Sequence, residues 1–345
     1  MRSKSSSELI ELGYFPETLD LLQETTQPPF IGRCDFAVTP EGIFMLECNA
    51  EVATFLVETF EMNGLIANHF DVSDPNVQSK AILKQELNAY LDRIIPDLLG
   101  KSPEDCLIAF CAIGDAAEDV GTANYLCKLC DYPAKVIAIE TLEFDETGVY
   151  DRDGNTVDVI YRIYPTEWML LDRDSATQMS LWEILEPLIF DRKVALINPV
   201  SSMLMQNKSI LATITQLAQQ DKFTPELQAI VDRHFLPTTF DETAIAAPYV
   251  SKPTFGREGS EVCIVDTQKS DAELFNPSAE YASFPKVHQQ YVELPTIDLD
   301  DETYTLQLSC FVINGKATGV AARIGDRVIA DNSYFLAIGL EDESR

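Results

Sequence analysis

Arg33-Cys-Asp-Phe-Ala-Val-Thr-Pro-Glu-Gly-Ile-Phe-Met-Leu-Glu-Cys-Asn49 reads as a β-hairpin, and the rest of the chain is interpreted from it. Two runs of β-forming residues flank Pro40-Glu41-Gly42, where Gly42 can take the positive φ that closes a three-residue loop. With Thr39 opposite Ile43, the ladder sets Asp35 against Glu47 and Arg33 against Asn49. Side chains alternate between the faces of a strand. One face then carries Cys34, Phe36, Val38, Phe44, Leu46 and Cys48, and the other gathers Arg33, Asp35, Glu47 and Asn49 at the open end.

That polar face has two readings. Opposed carboxylates repel unless a cation lies between them. A hard divalent ion such as Mg²⁺ takes a few carboxylate or amide oxygens together with substrate phosphates. Asp35, Glu47 and Asn49 supply such a metal-ligand set, with Arg33 beside it for an anion. A solvated face on which Arg33 neutralises the two acids satisfies the same pattern.

The 345 residues are enough for a large core and for one large or two to three small domains. A net charge of −31 disfavours nucleic acid and anionic membrane surfaces as partners. The eight cysteines lie mostly in apolar runs and read as reduced, buried residues, including Cys127 and Cys130, which share a predicted helix. Met1–Leu12 is too polar for a signal peptide and no apolar run approaches the length of a membrane span, so a cytoplasmic protein is expected.

In chain order, Ser5–Thr25 reads as helix broken near Gly13 and Pro16, and helical spacing resumes after Asn49. Lys80–Leu99 is predicted as an amphipathic helix with Ala81, Leu83, Leu87, Tyr90, Leu91, Ile94 and Ile95 inward. Cys106–Ile113, Thr122–Asp131 and Ala134–Ile139 form a βαβ unit with Glu118-Asp119 in its first loop. Phe144–Ile163 reads as a hairpin, Trp168–Phe190 as helix and Ala195–Pro199 as a short strand ending in a turn. Asn207-Lys208 heads the helix Ile210–Leu217. The run Tyr249-Val-Ser-Lys252-Pro-Thr-Phe-Gly256-Arg257-Glu258-Gly259 leads a strand into a glycine loop. Glycines let backbone amides approach anionic oxygens, and Lys252 and Arg257 add positive charge. A surface hairpin turn fits the same residues. Gln289–Leu294 then reads as a strand, and Tyr304–Ile313, Lys316–Arg323 and Asp326–Asp331 as three antiparallel strands.

Taken in order, these segments resemble the synthetase part of the glutathionylspermidine synthase family, a branch of the ATP-grasp ligases. The resemblance rests on Gly32-Arg33-Cys34-Asp35, Glu47-Cys48-Asn49-Ala50-Glu51, Asn207-Lys208, Lys252–Gly259, Gln290–Val292 and Arg323. Glu118-Asp119 with Thr122, and Tyr164-Pro-Thr-Glu-Trp168, resemble the family's central motifs.

The resemblance implies an α/β (α+β) ATP-grasp-type fold, with two α+β lobes around a nucleotide cleft and a small βαβ region. The expected division is residues 1–100 with the hairpin, 101–190 with the βαβ region, and 191–345 with the glycine-loop lobes. It implies ATP as the nucleotide and Mg²⁺ on Asp35, Glu47 and Asn49. Lys208 and Lys252 would meet the phosphates, Gly256, Glu258 and Gly259 would fold over them, and Gln290, Tyr291 and Val292 would face the adenine. A small-molecule carboxylic acid becomes an acyl phosphate, which an amine attacks. Arg33, Arg257 and Arg323 are the candidates to grip that intermediate, and Thr54 would hold the acid. Glu118 and Asp119 would bind the amine; a helix N-terminal acid pair is the other reading of those two.

The sequence also departs from the family pattern. Set against the family pattern, a chain without the amidase domain and without the usual N-terminal segment is expected. Val52, Ala53 and Phe55 interrupt a run of small hydroxyl residues, and Thr166 replaces a tryptophan, so substrates other than glutathione and spermidine are expected. A non-catalytic nucleotide-binding module acting through a protein partner is the alternative to a ligase.

Overall fold

The computed structural model describes residues 1–24, 27–175, 177–266, 272–330 and 332–341. Two predicted element ends, Thr25 and Asp331, lie outside them. Among the described residues no helix is long and apolar enough to cross a membrane.

The hairpin forms one end of a six-stranded sheet, with Gly42–Asn49 as the edge strand. Ile31–Thr39 lies between Gly42–Asn49 and Glu302–Ile313, and the sheet continues through Lys316–Gly325 to Tyr334–Leu336. Thr296–Leu299 also pairs with Glu302–Ile313. The last strand is therefore Tyr334–Leu336, in place of the expected Asp326–Asp331.

The predicted register fails at the turn and holds where the chemistry lies. Thr39 pairs with Gly42 and Val38 with Ile43, which leaves the two-residue loop Pro40-Glu41. A bulge next to Asp35 then makes Leu46 the extra residue, and Asp35 faces Glu47, Cys34 faces Cys48 and Arg33 faces Asn49. A bulge inserts one residue without disturbing the alternation on either side of it, so residue pattern alone does not reveal it. On the first strand Arg33, Asp35 and Ala37 are buried whereas Cys34, Phe36 and Val38 are half-buried; on the second, Cys48 is buried and Glu47 and Asn49 are half-buried.

A second, four-stranded sheet is parallel, in the order Ala134–Ala138, Ile108–Ala112, Val159–Ile163, Ala195–Ile197. It contains the expected βαβ unit, with the helix at Ala117–Leu129. Val159–Ile163 belongs here and not to a hairpin with Phe144, because all five of its residues are buried, as parallel strands covered on both faces must be. Glu143–Asp145, Gly148–Tyr150 and Thr156–Val157 form a separate small sheet. The helix Ser79–Leu99 joins the first two sheets in one core, through Leu83, Leu87, Tyr90, Leu91, Ile94 and Ile95. Ala81, predicted inward, is exposed.

The predicted helix Trp168–Phe190 is two helices, Thr166–Leu171 and Leu181–Phe190. The second begins at a capping box in which Ser180 and Glu183 bond each other's backbone N–H.

The remaining sheet has five strands, ordered Thr238–Thr239, Lys286–Gln290, Tyr249–Pro253, Val262–Val265, Glu273–Phe275. The strand expected over Gln289–Leu294 ends at Gln290, and the segment after it lines a cleft. This sheet faces the polar end of the hairpin: Lys252 Nζ donates to the bulge carbonyl of Leu46 at 2.9 Å.

Candidate active site

Asp35 sits fully buried at the centre of the hairpin's polar face. Arg33 Nε donates to Asp35 Oδ1 at 2.8 Å and Arg33 Nη2 to Asp35 Oδ2 at 3.0 Å. Arg323 Nη2, Asn49 Nδ2 and Ser309 Oγ also donate to it, at 2.8, 3.1 and 2.7 Å. Ser309 and Arg323 arrive because their strands pair next to the hairpin. Burial works against the charged carboxylate, but the Arg33 and Arg323 guanidiniums overcome it and hold the carboxyl at about 2. The two arginines differ in turn. Asp35 and Glu47 outweigh burial at Arg33 and raise it, whereas burial and the charge of Arg33 bring Arg323 down to about 10. Arg33 Nη1 also reaches the carbonyl and hydroxyl oxygens of Thr54, both at 3.2 Å, and Arg323 lies over the Phe55 ring, 5.5 Å from its centroid.

Beside Asp35, Glu47 opens onto a cavity of about 280 Å³ whose walls include Lys208, Lys252, Gly256 and Gly259. Lys208 Nζ is 3.3 Å from Glu47 Oε2 and donates to the Gly256 carbonyl at 2.8 Å. Lys252 Nζ also donates to Gln289 Oε1 at 2.9 Å. Burial raises the Glu47 carboxyl, but the two lysines outweigh it and the net shift is downward. Lys252 itself is pulled down to about 8, chiefly by burial. Glu258, Gln290, Tyr291 and Val292 line the same cavity. Gly259 is held at φ +69°, where a Cβ would meet Val328 Cγ1 at 3.0 Å, so the loop packs against the segment after Gly325.

Around the hairpin's end, four cationic side chains (Arg33, Arg323, Lys208, Lys252) therefore face two carboxylates. Two buried donors there, Gln289 Nε2 and Arg323 Nε, have no hydrogen-bond partner. Cations thus outnumber carboxylates among the groups that meet at the hairpin's end, while Glu258 and Glu293 also line the cavity. The oxygen donors also suit a hard cation. Glu47 reaches the cavity and Asn49 lies beside Asp35, while Asp35 is shared with two arginines. No group of three or more His, Cys, Asp or Glu among the described residues is arranged to hold a metal.

Arg257 stands apart from that cluster. Its Nε is 2.5 Å from Glu167 Oε1 and its Nη2 is 3.3 Å from Glu51 Oε2. Glu51 also accepts from Arg162 Nη2 and from the Thr166 backbone N–H, both at 2.8 Å, and from the Thr166 hydroxyl. Burial opposes the charge on Arg257, and Glu167 and Glu51 hold it charged nonetheless. Arg162 Nε and Glu167 Oε2 lack partners, but two acids face two arginines and the charges balance.

Glu118 and Asp119 occupy the first turn of the helix Ala117–Leu129. Burial, Glu118 and Glu258 together raise the Asp119 carboxyl, which ties this pair electrostatically to the glycine loop. Burial also raises Glu58, with a further push from Glu118. Neither Glu118 nor Asp119 lines the cavity.

Glu58, Gln289 and Arg162 carry no role in the sequence reading, and Glu167 enters it only within the motif Tyr164–Trp168. Arg162 did carry a signal: an arginine in the middle of an otherwise apolar strand needs a buried partner. That partner is Glu51. Thr166, one of the departures from the family pattern, bonds Glu51 of the Glu47–Glu51 motif.

The Glutathionylspermidine synthase preATP-grasp family matches residues 6–341. The chain is 23% identical over 301 residues to the glutathionylspermidine synthase of Crithidia fasciculata, covering 79% of this chain and 40% of that protein. It is 24% identical over 338 residues to a putative acid–amine ligase of Haemophilus influenzae, covering 94% of this chain and 78% of that one. The chain thus spans 40% of the length of the Crithidia relative. Its fold is that of a glutathione synthetase-like effector from Globodera pallida (TM-score 0.53, 12% identity, 97% of this chain and 86% of that one). It is also that of a putative gamma-glutamylcysteine synthetase from Methylobacillus flagellatus (TM-score 0.55, 9% identity, 96% and 85%). Both likenesses agree with the expected ATP-grasp-related α+β architecture. On the match across residues 6–341, this chain belongs to the glutathionylspermidine synthase preATP-grasp family.

Proposed function

We propose that this chain is an ATP- and Mg²⁺-dependent carboxylate–amine ligase that forms an amide through an acyl phosphate. The observation that carries this reading is the cation surplus where the hairpin meets the cavity, since a triphosphate is the anion that such a cleft suits. The triphosphate lies along Lys208 and Lys252 under the Gly256–Gly259 loop, and the adenine lies against Gln290, Tyr291 and Val292. Glu47, with Asn49 and Asp35, would hold Mg²⁺, which neutralises charge on the phosphate oxygens when bound.

The acid carboxylate attacks the γ-phosphorus, an O–P bond forms, and the bond to the β-phosphate oxygen breaks to release ADP. Arg33 and Arg323 face the transferring group, and fixed positive charge there stabilises the transition state. The ammonium gives up a proton to become the nucleophilic amine, whose nitrogen attacks the acyl carbon. Inorganic phosphate leaves and the nitrogen loses a second proton as the amide forms. Glu118 and Asp119 pair with the ammonium form of the incoming amine, and Thr54 borders the acid. Arg257, held by Glu51 and Glu167, shapes the loop around the acyl phosphate. Both substrates are small molecules, one an acid and one an amine.

Phosphate release from ATP should require Mg²⁺ and both substrates in a screen of pooled acids and amines. It should be lost in Asp35→Asn and Glu47→Gln. Nucleotide binding with no turnover under any pairing would instead identify a non-catalytic module that works through a protein partner.

A further inference from the structure

Cys34 and Cys48 face each other across the hairpin, on the rung between Arg33–Asn49 and Asp35–Glu47. Their sulfurs are 3.7 Å apart. Directly opposed residues of an antiparallel pair have Cα atoms about 4.5–5.5 Å apart, within the ~4.4–6.8 Å that a disulfide spans. Cys310 flanks Cys34 on the other side, but its thiol is turned toward the Phe311 carbonyl of its own strand. All eight cysteines are free, and Cys34 is the more exposed of the opposed pair.

We propose that Cys34 and Cys48 are an oxidisable thiol pair that hydrogen peroxide closes into a cross-strand disulfide, disabling the neighbouring anion and cation site. The Cys34 sulfur attacks one peroxide oxygen, the O–O bond breaks, and a sulfenic acid and one water result. The Cys48 sulfur then attacks the Cys34 sulfur, and the hydroxyl leaves as a second water as the S–S bond forms. Two thiols lose two electrons and two protons, and the peroxide takes up both. Closure draws the sulfurs from 3.7 Å to about 2.05 Å. Each cysteine adjoins two residues of the charged cluster, so the movement is transmitted to Arg33, Asp35, Glu47 and Asn49 together. Cys34 is half-buried, so a thiolate reductant can attack its sulfur and reopen the bond.

The bond itself is independent of the ligase reading; its effect on turnover rests on that reading. The full chain is treated with hydrogen peroxide, alkylated with iodoacetamide and mapped by mass spectrometry. The expected result is loss of two alkylatable thiols and a peptide cross-link between Cys34 and Cys48 that dithiothreitol reverses. In Cys48→Ser the link is absent and dimedone labels Cys34. A link to Cys310, or unchanged alkylation of both residues, would overturn the proposal. ATP-dependent phosphate release should fall at least tenfold on oxidation, return with dithiothreitol, and hold steady in Cys48→Ser. Unchanged turnover in fully linked protein overturns the effect on the site. An inactive reduced protein that still forms the link upholds the thiol pair and counts against the ligase reading alone.

Discussion

Two charged clusters adjoin the end of the hairpin strand, and they are built differently. In the first, Arg33, Arg323, Lys208 and Lys252 surround Asp35 and Glu47, and the group opens on a cavity. In the second, Glu51 and Glu167 meet Arg162 and Arg257 two for two, and the Glu51 and Arg162 side chains are wholly buried. Buried charges persist where they are paired, and a balanced cluster therefore serves as scaffold. Uncompensated positive charge carries a desolvation cost that is offset only when an anion arrives. The difference separates a cluster whose charges are matched from the one proposed to meet an anionic ligand.

The comparison can be broken most severely at Glu51. Glu51→Gln leaves Arg162 and Arg257 facing one carboxylate, and breaking a buried ion pair costs about 3–5 kcal/mol. Urea unfolding should show that loss, and a change under ~1 kcal/mol would mean that the balanced cluster is not scaffold. Lys252→Met tests the other cluster. Removing one preorganised cationic contact should lower turnover about 100- to 1000-fold without reducing stability, because a buried ammonium is removed with it. A stability loss like that of Glu51→Gln would erase the distinction.

A smaller effect sharpens the comparison through pH. Lys252 titrates at about 8, below the 10.5 of a free lysine. The folded chain thus binds its proton less tightly than the unfolded chain does, and the contribution of Lys252 to stability rises between about pH 8 and 10.5. Nucleotide affinity should move the opposite way, weakening by up to about tenfold per pH unit above 8 as the positive charge is lost. Isothermal titration in Lys252→Met should lack this dependence. An identical profile in both proteins would assign the titration to another group.

Much of this site was legible before any coordinates. Setting Thr39 opposite Ile43 puts Asp35 opposite Glu47 and Arg33 opposite Asn49, and that pairing stands although the turn register does not. The departures were local: a turn one residue shorter than expected and a bulge that restores the register before the acids are reached. The bulge has a role that no residue pattern records, since it frees the Leu46 carbonyl for Lys252. The reading of Arg257 shows the opposite limit. Its motif places it in the glycine loop, but only packing shows that Glu51 and Glu167 already claim its guanidinium.

By itself the sequence determined the hairpin, the βαβ unit, the glycine loop and the residue types that reach them, because these follow from side-chain alternation, periodicity and backbone freedom over short distances. Tertiary structure alone decided which charges meet. Asp35 with Arg323, Glu47 with Lys208, and Glu51 with Arg162 are separated by more than 100 residues of chain, and their pairing is set by how the sheets pack. The electrostatic outcome follows from that packing, since burial and the number of neighbouring charges determine which cluster is neutral and which retains a positive surplus.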